Sequence, residues 1–157
     1  MPITLDYVLD DGGWADITLG NEQQSVTGAV SNLHDSLASL ADAALDLLTG
    51  RRIAASVFFM DEPGEHHLLL TTTDEDSSAL QIEVRWFDDW ASWGIYPDDQ
   101  FELLLSAGSS KKEFGKEVLR VLTKIWLQHG EEGYRKKWLR HSFPSQQHTQ
   151  LQRLLNA

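Results

Sequence analysis

Glu62, Glu65, His66 and His67 fall within six residues, and imidazole and carboxylate are the groups that hold divalent ions or move protons. Neighbouring side chains on an extended strand point to opposite faces, so His66 and His67 are not expected to share one ion. No HxxxH or HExxH spacing occurs in the chain. No metal and no cofactor is therefore expected. Carboxylates recur at Asp10-Asp11, Asp61-Glu62, Asp74-Glu75-Asp76, Asp88-Asp89 and Asp98-Asp99. A hydrolase built on two carboxylates needs one of them in a desolvated pocket. These all fall at predicted strand ends or turns, where aspartate bonds to nearby backbone and needs no catalytic role. The chain has no cysteine, no GxSxG and no GxxxxGK[ST] phosphate loop. No catalytic residue is expected, and an unrecognised hydrolase is only a second alternative.

The residues best suited to recognition lie between Asp88 and Asp99, in the stretch DDWASWGIYPDD. Two tryptophans and a tyrosine framed by four aspartates join a large apolar surface to negative charge, and aromatic anchors are enriched among binding hot spots. A connection of about a dozen residues is longer than most, and such loops are often functional. Asp88, Asp89, Trp90, Trp93, Tyr96, Asp98 and Asp99 are the candidate partner-binding residues. The competing expectation is that Trp90 and Trp93 fold inward and plug the end of a sheet.

Charge sharpens the choice of partner. Residues 1–106 hold 20 Asp and Glu against 3 Lys and Arg, a net of −17, whereas residues 107–157 are net +6. The basic C-terminal helices are expected to offset part of the acidic portion, leaving the overall −11. That surplus excludes nucleic acid and anionic membrane as main partners and steers a basic protein inward. Lys112, Lys116, Arg120 and Lys124 stand four apart on a predicted helix, with Glu113 and Glu117 interleaved, which reads as a solvated helix face.

A length of 157 residues and 41% apolar content predict one soluble domain over 1–157 with no need of a disulfide or metal staple. The opening MPITLDYVLDDGG has neither a basic nor an apolar stretch, and no apolar run approaches the ~20 residues that span a bilayer. A cytoplasmic location is expected. Ile3, Leu5, Tyr7 and Leu9, then Ala15, Ile17 and Leu19, alternate as strands about a glycine turn, and burial favours a three-residue loop pairing Tyr7 with Ile17. Asn21 to Gly28 reads as a connection. A helix is predicted from Val30 to Leu48, capped by Ser31 or Asn32 and stopped by Gly50. Ile53–Phe59, Leu68–Thr72, Leu80–Trp86 and Phe101–Ser106 read as strands, the first two joined by a type II turn at Glu62-Pro63-Gly64-Glu65. Helices follow around Phe114–Ile125, ending at His129-Gly130, then Tyr134–Trp138 and Leu151–Leu155. The order ββ-α-ββββ-ααα predicts an α+β fold, with a mainly antiparallel sheet of about six strands and helices on one face.

The helix LHDSLASLADAALDLLTG, the hairpin FFMDEPGEHHLLL, the strand LQIEVRWF and the C-terminal YRKKW followed by FP resemble those of small bacterial immunity proteins, which neutralise polymorphic toxins. The resemblance covers about two-thirds of the chain and assigns no functional residue. It implies an α+β scaffold that binds a protein partner through an acidic surface. A non-catalytic immunity-type inhibitor of a basic toxin domain is the leading expectation. An acidic secretion-type chaperone, binding an effector segment as a homodimer, is the first alternative.

Overall fold

The computed structural model describes residues 3–156. Leu5, Tyr7 and Leu9 point inward from β1 (Thr4–Leu9) and pair with Leu19, Ile17 and Ala15 of β2 (Trp14–Gly20). The loop has three residues, as burial requires: Gly12 and Gly13 take φ of 72° and 82°, and Asp10 N–H donates to Trp14 O at 2.9 Å.

β3 (Ser25–Ser31) completes a three-stranded antiparallel sheet, so only Asn21–Gln24 turns and the expected connection through Gly28 is a strand. Its alternation is blunted because Gly28, opposite Ile17, carries no side chain. A Cβ there would collide with the ring of His66, so a residue of the other sheet decides this position. Val30 is the last inward residue of that strand and pairs with Ala15. α1 (Ser36–Leu48) accordingly starts later than the apolar stripe predicts. Asn32 is not its cap: the side-chain amide donates to Trp138 O at 3.2 Å and the backbone N–H to Gly13 O at 2.9 Å. Leu37, Leu40, Ala41, Ala44 and Leu47 are buried, and Gly50 at φ 72° ends the helix.

β4 (Ala54–Met60), β5 (Glu65–Thr71), β6 (Ala79–Phe87) and β7 (Glu102–Ser110) form a second antiparallel sheet in that order. The single sheet of about six strands is thus replaced by sheets of three and four. Alternation marks strands but not which edges join, and here α1 separates two meanders that share a core without a ladder between them. The link between β4 and β5 is not a type II turn: Glu62–Pro63 is cis, and Asp61 N–H donates to Gly64 O at 2.9 Å.

α2 (Lys111–Trp138) follows β7 directly, with Ser110 Oγ accepting Glu113 N–H at 3.0 Å. Gly130 (φ 67°, ψ −179°) breaks it where the helix was expected to end, and the second arm buries Tyr134 and Trp138. α3 (Ser145–Asn156) begins just after Phe143-Pro144, six residues before Leu151. The order is βββ-α-ββββ-αα with one broken helix. Inward residues of both sheets and all three helices, among them Tyr7, Leu37, Val57, Ile82, Phe114 and Trp138, share one apolar core. α2 lies along β1. Arg120 donates to Leu5 O and pairs with Glu117, Glu117 accepts Leu5 N–H at 3.2 Å, and Lys124 reaches Asp6 at 3.3 Å. Half of the basic stripe is therefore engaged within the fold, and Lys112 and Lys116 face solvent. Among the described residues no helix is long and apolar enough to cross a membrane.

Candidate interaction surface

Period-two alternation puts Phe58, His67, Arg85 and Leu103 in one cross-strand row on the outward face of the four-stranded sheet. Met60, Glu65 and Phe87 make the next row, and all three are buried, although Met60 and Phe87 lie outside the main core. Residues 88–101, which include a single turn of 3-10 helix at Ala91–Trp93, dock on this end. The Trp90 indole N–H donates to Asp61 O at 2.7 Å, Trp93 meets Trp90 edge-on at 4.9 Å, and Phe101 lies 5.7 Å from Phe87. The Arg85 guanidinium sits 4.2 Å from the centre of the Phe101 ring.

Glu65 clasps the loop. Its fully buried carboxylate accepts Ser92 N–H at 2.6 Å, the Ser92 hydroxyl at 2.7 Å and His67 Nε2 at 2.8 Å. Burial by itself would raise this carboxyl's pKa, but the bonds from His67 and Ser92 outweigh it and hold the group below the usual glutamate value. His67 is held in turn by the rings of Phe58 and Phe87, at 4.5 and 4.3 Å. The carboxylate stands between hydroxyl and imidazole, so the serine does not meet the histidine as a nucleophile meets its base. The trio is an anchor.

His66 occupies the other face of β5, 4.7 Å from Trp86 and against Gly28. Gly64 closes over the same indole: at φ 93° it accepts no ordinary side chain, and a Cβ would strike the Trp86 ring. Burial pushes the pKa of His66 below its ordinary 6.5, as it does for His34 and His148. Between the ordinary and lowered values the unfolded chain binds more protons than the folded one. Stability is therefore full above pH 6.5, falls as pH drops below it, and levels off once the folded histidines protonate. Urea unfolding at pH 7 and pH 5 should show this loss, and H66Q should make it smaller. An equal loss in H66Q would remove His66 as a contributor.

The seven residues singled out in the sequence divide by role. Asp88 accepts Trp86 Nε1–H at 3.0 Å and Asp89 accepts Trp90 N–H at 2.8 Å, so both also shape the loop. Trp90 is half-buried and pinned, which meets the plug expectation, but Trp93 stays 52% exposed. Tyr96 is half-buried, and Asp98 and Asp99 face solvent. The structure adds Ile95 (58% exposed), Phe101 (38%) and Leu103 (52%), which with Trp93 make four large apolar side chains exposed in and beside the loop. Among the described residues no Lys or Arg pairs with Asp88, Asp89, Asp98, Asp99 or Glu102. Compensation of charge is confined to other places, such as Lys124 on Asp6 and Lys137 on Asp11. Sequence reading missed the clasp because Glu65 and Ser92 are 27 residues apart. It missed Leu103 because Leu103-Leu104-Leu105 has no alternation, and a bulge opposite Val84 and Arg85 decides which leucine faces out. Among the described residues no three His, Asp or Glu side chains form a group able to hold a metal. No protein-family model, curated protein or solved structure matches the chain.

Proposed function

We propose that the protein is a non-catalytic binding module of immunity type, inhibiting a basic toxin domain by docking it on the aromatic loop. One observation carries this reading: Trp93, Ile95, Phe101 and Leu103 are exposed within and beside a loop whose acidic groups pair with no Lys or Arg among the described residues. Large apolar side chains exposed beside charged ones are common at protein interfaces. The uncompensated aspartates add attraction for a cationic partner and set its approach rate. Because Glu65 ties the loop to the sheet through Ser92, less ordering remains to be lost on binding.

The test is titration of the chain against a basic toxin domain, sought first among the products of neighbouring genes, at low and high salt. Affinity should fall as salt rises, and W93A should cost about 2 kcal/mol or more, as an exposed aromatic anchor does. A folded W93A protein that binds and protects as well as the wild type would sink the proposal. Light scattering separates the chaperone alternative, which requires a homodimer.

A further inference from the structure

Beside the exposed apolar groups, the end of β6, the loop and the start of β7 border an open cleft of about 360 Å³ lined by Trp86, Asp88, Tyr96, Gln100, Phe101 and Glu102. Three aromatic residues and two carboxylates line this opening with one neutral amide, and Arg85, which lies over Phe101, is not among the lining residues. Trp86 Nε1–H engages one Asp88 oxygen at 3.0 Å and fixes that carboxylate at the rim. Glu102 is exposed, and no hydrogen bond or ion pair of the described residues occupies its carboxylate. Carboxylates beside aromatic residues suit an organic cation: the carboxylates accept its N–H groups and the neighbouring rings add attraction for its charge. A guanidinium suits them better than an ammonium, being planar, more weakly hydrated and able to stack while donating several hydrogen bonds. The chain already makes one such contact at the margin of the cleft, where Arg85 lies over Phe101.

From this we infer that the cleft receives an arginine side chain of the partner, which anchors the partner beside the apolar surface. The inference deepens the docking proposal and rests on it for the identity of the partner, but not for the chemistry of the cleft. The pocket supplies what the exposed apolar groups lack, a directional charged contact that selects one orientation of the incoming protein.

The test uses the full chain and three short capped peptides, Gly-Arg-Gly, Gly-Lys-Gly and Gly-citrulline-Gly, followed by the NMR signals of the Trp86 indole and the Gln100 side-chain amide. The arginine peptide should shift both signals saturably and bind about fivefold or more tighter than the citrulline peptide, which keeps the shape without the charge. The lysine peptide should be weaker than the arginine one. Y96A, and D88N combined with E102Q, should abolish the saturable shift, whereas W93A should preserve it. Equal binding of arginine and citrulline peptides, no saturable shift, or full binding by both variants would overturn the inference. Equal binding of lysine would overturn the choice of guanidinium. Toxin binding that depends on Trp93 with no response to the arginine peptide would leave docking standing and remove the cleft. The converse result would keep the cleft and remove the toxin.

Discussion

An E65A chain is expected to unfold about 3 kcal/mol more easily than the wild type, with its aromatic loop released. The carboxylate serves three donors: Ser92 N–H, the Ser92 hydroxyl and His67 Nε2. A truncation leaves those groups facing a cavity where nothing accepts their protons, and each unsatisfied buried donor costs about 1–3 kcal/mol. Lifting the loop into water recovers part of that cost, which is why the total stays near the lower end. The same lifting exposes Phe87 and frees Trp90 from Asp61 O. Amide exchange over residues 88–101 should then speed up while the main core stays protected. S92A, which removes only the hydroxyl, should show the same direction at a smaller size. Unchanged exchange in the E65A loop would mean that Trp90 alone holds it and that the clasp is incidental. Partner affinity should drop in E65A even though no docking residue has changed, because the loop must be reordered on binding. The pKa of Glu65, held below the usual value, gives a second handle. Its stabilisation is present above the ordinary glutamate range and is lost as pH falls through the lowered value.

G28V should lose about 3 kcal/mol or fail to fold, although valine is among the best strand formers. Strand propensity alone would favour the valine by up to ~1 kcal/mol. Sterics win because the new Cβ would collide with the His66 ring, and His66 is itself hemmed in by Trp86. Relief requires moving either β3 or β5 and so parting the two sheets. G28A tests the mechanism more cleanly. It should destabilise on its own, and H66A should recover much of the loss when combined with it, giving a coupling energy between residues of different sheets. Additive effects of the two changes would place the cost in the β3 backbone and not in the collision. Thermal or urea unfolding, monitored by the six tryptophans, reads G28V, G28A, H66A and the G28A/H66A double variant.

How far the sequence reaches is visible in particular elements. Burial of Leu5, Tyr7 and Leu9 against Ala15, Ile17 and Leu19 selects one hairpin register, and Gly12-Gly13 supplies the turn for it, so that element was legible. β3 was not, because Gly28 answers to His66, a residue 38 positions away that no local pattern displays. The start of α1 was misplaced for a related reason. Val30 suits an apolar helical stripe as well as an inward strand position, and only its pairing with Ala15 separates the two. In the loop, composition marked Trp93 and its aspartates, but it also marked Trp90, which is half-buried and pinned to Asp61.

By itself the chain determines its α+β class, most of its strands and helices, the acidic surplus of its first 106 residues and the aromatic character of one long connection. These follow from local periodicity and from charge, which need no partner to be read. Tertiary structure alone decided the division into two sheets, the clasp of Glu65 on Ser92, and which aromatic groups stay outside. Each of those depends on side chains far apart in sequence competing for one buried volume, and a pattern of neighbours along the chain carries no record of that contest.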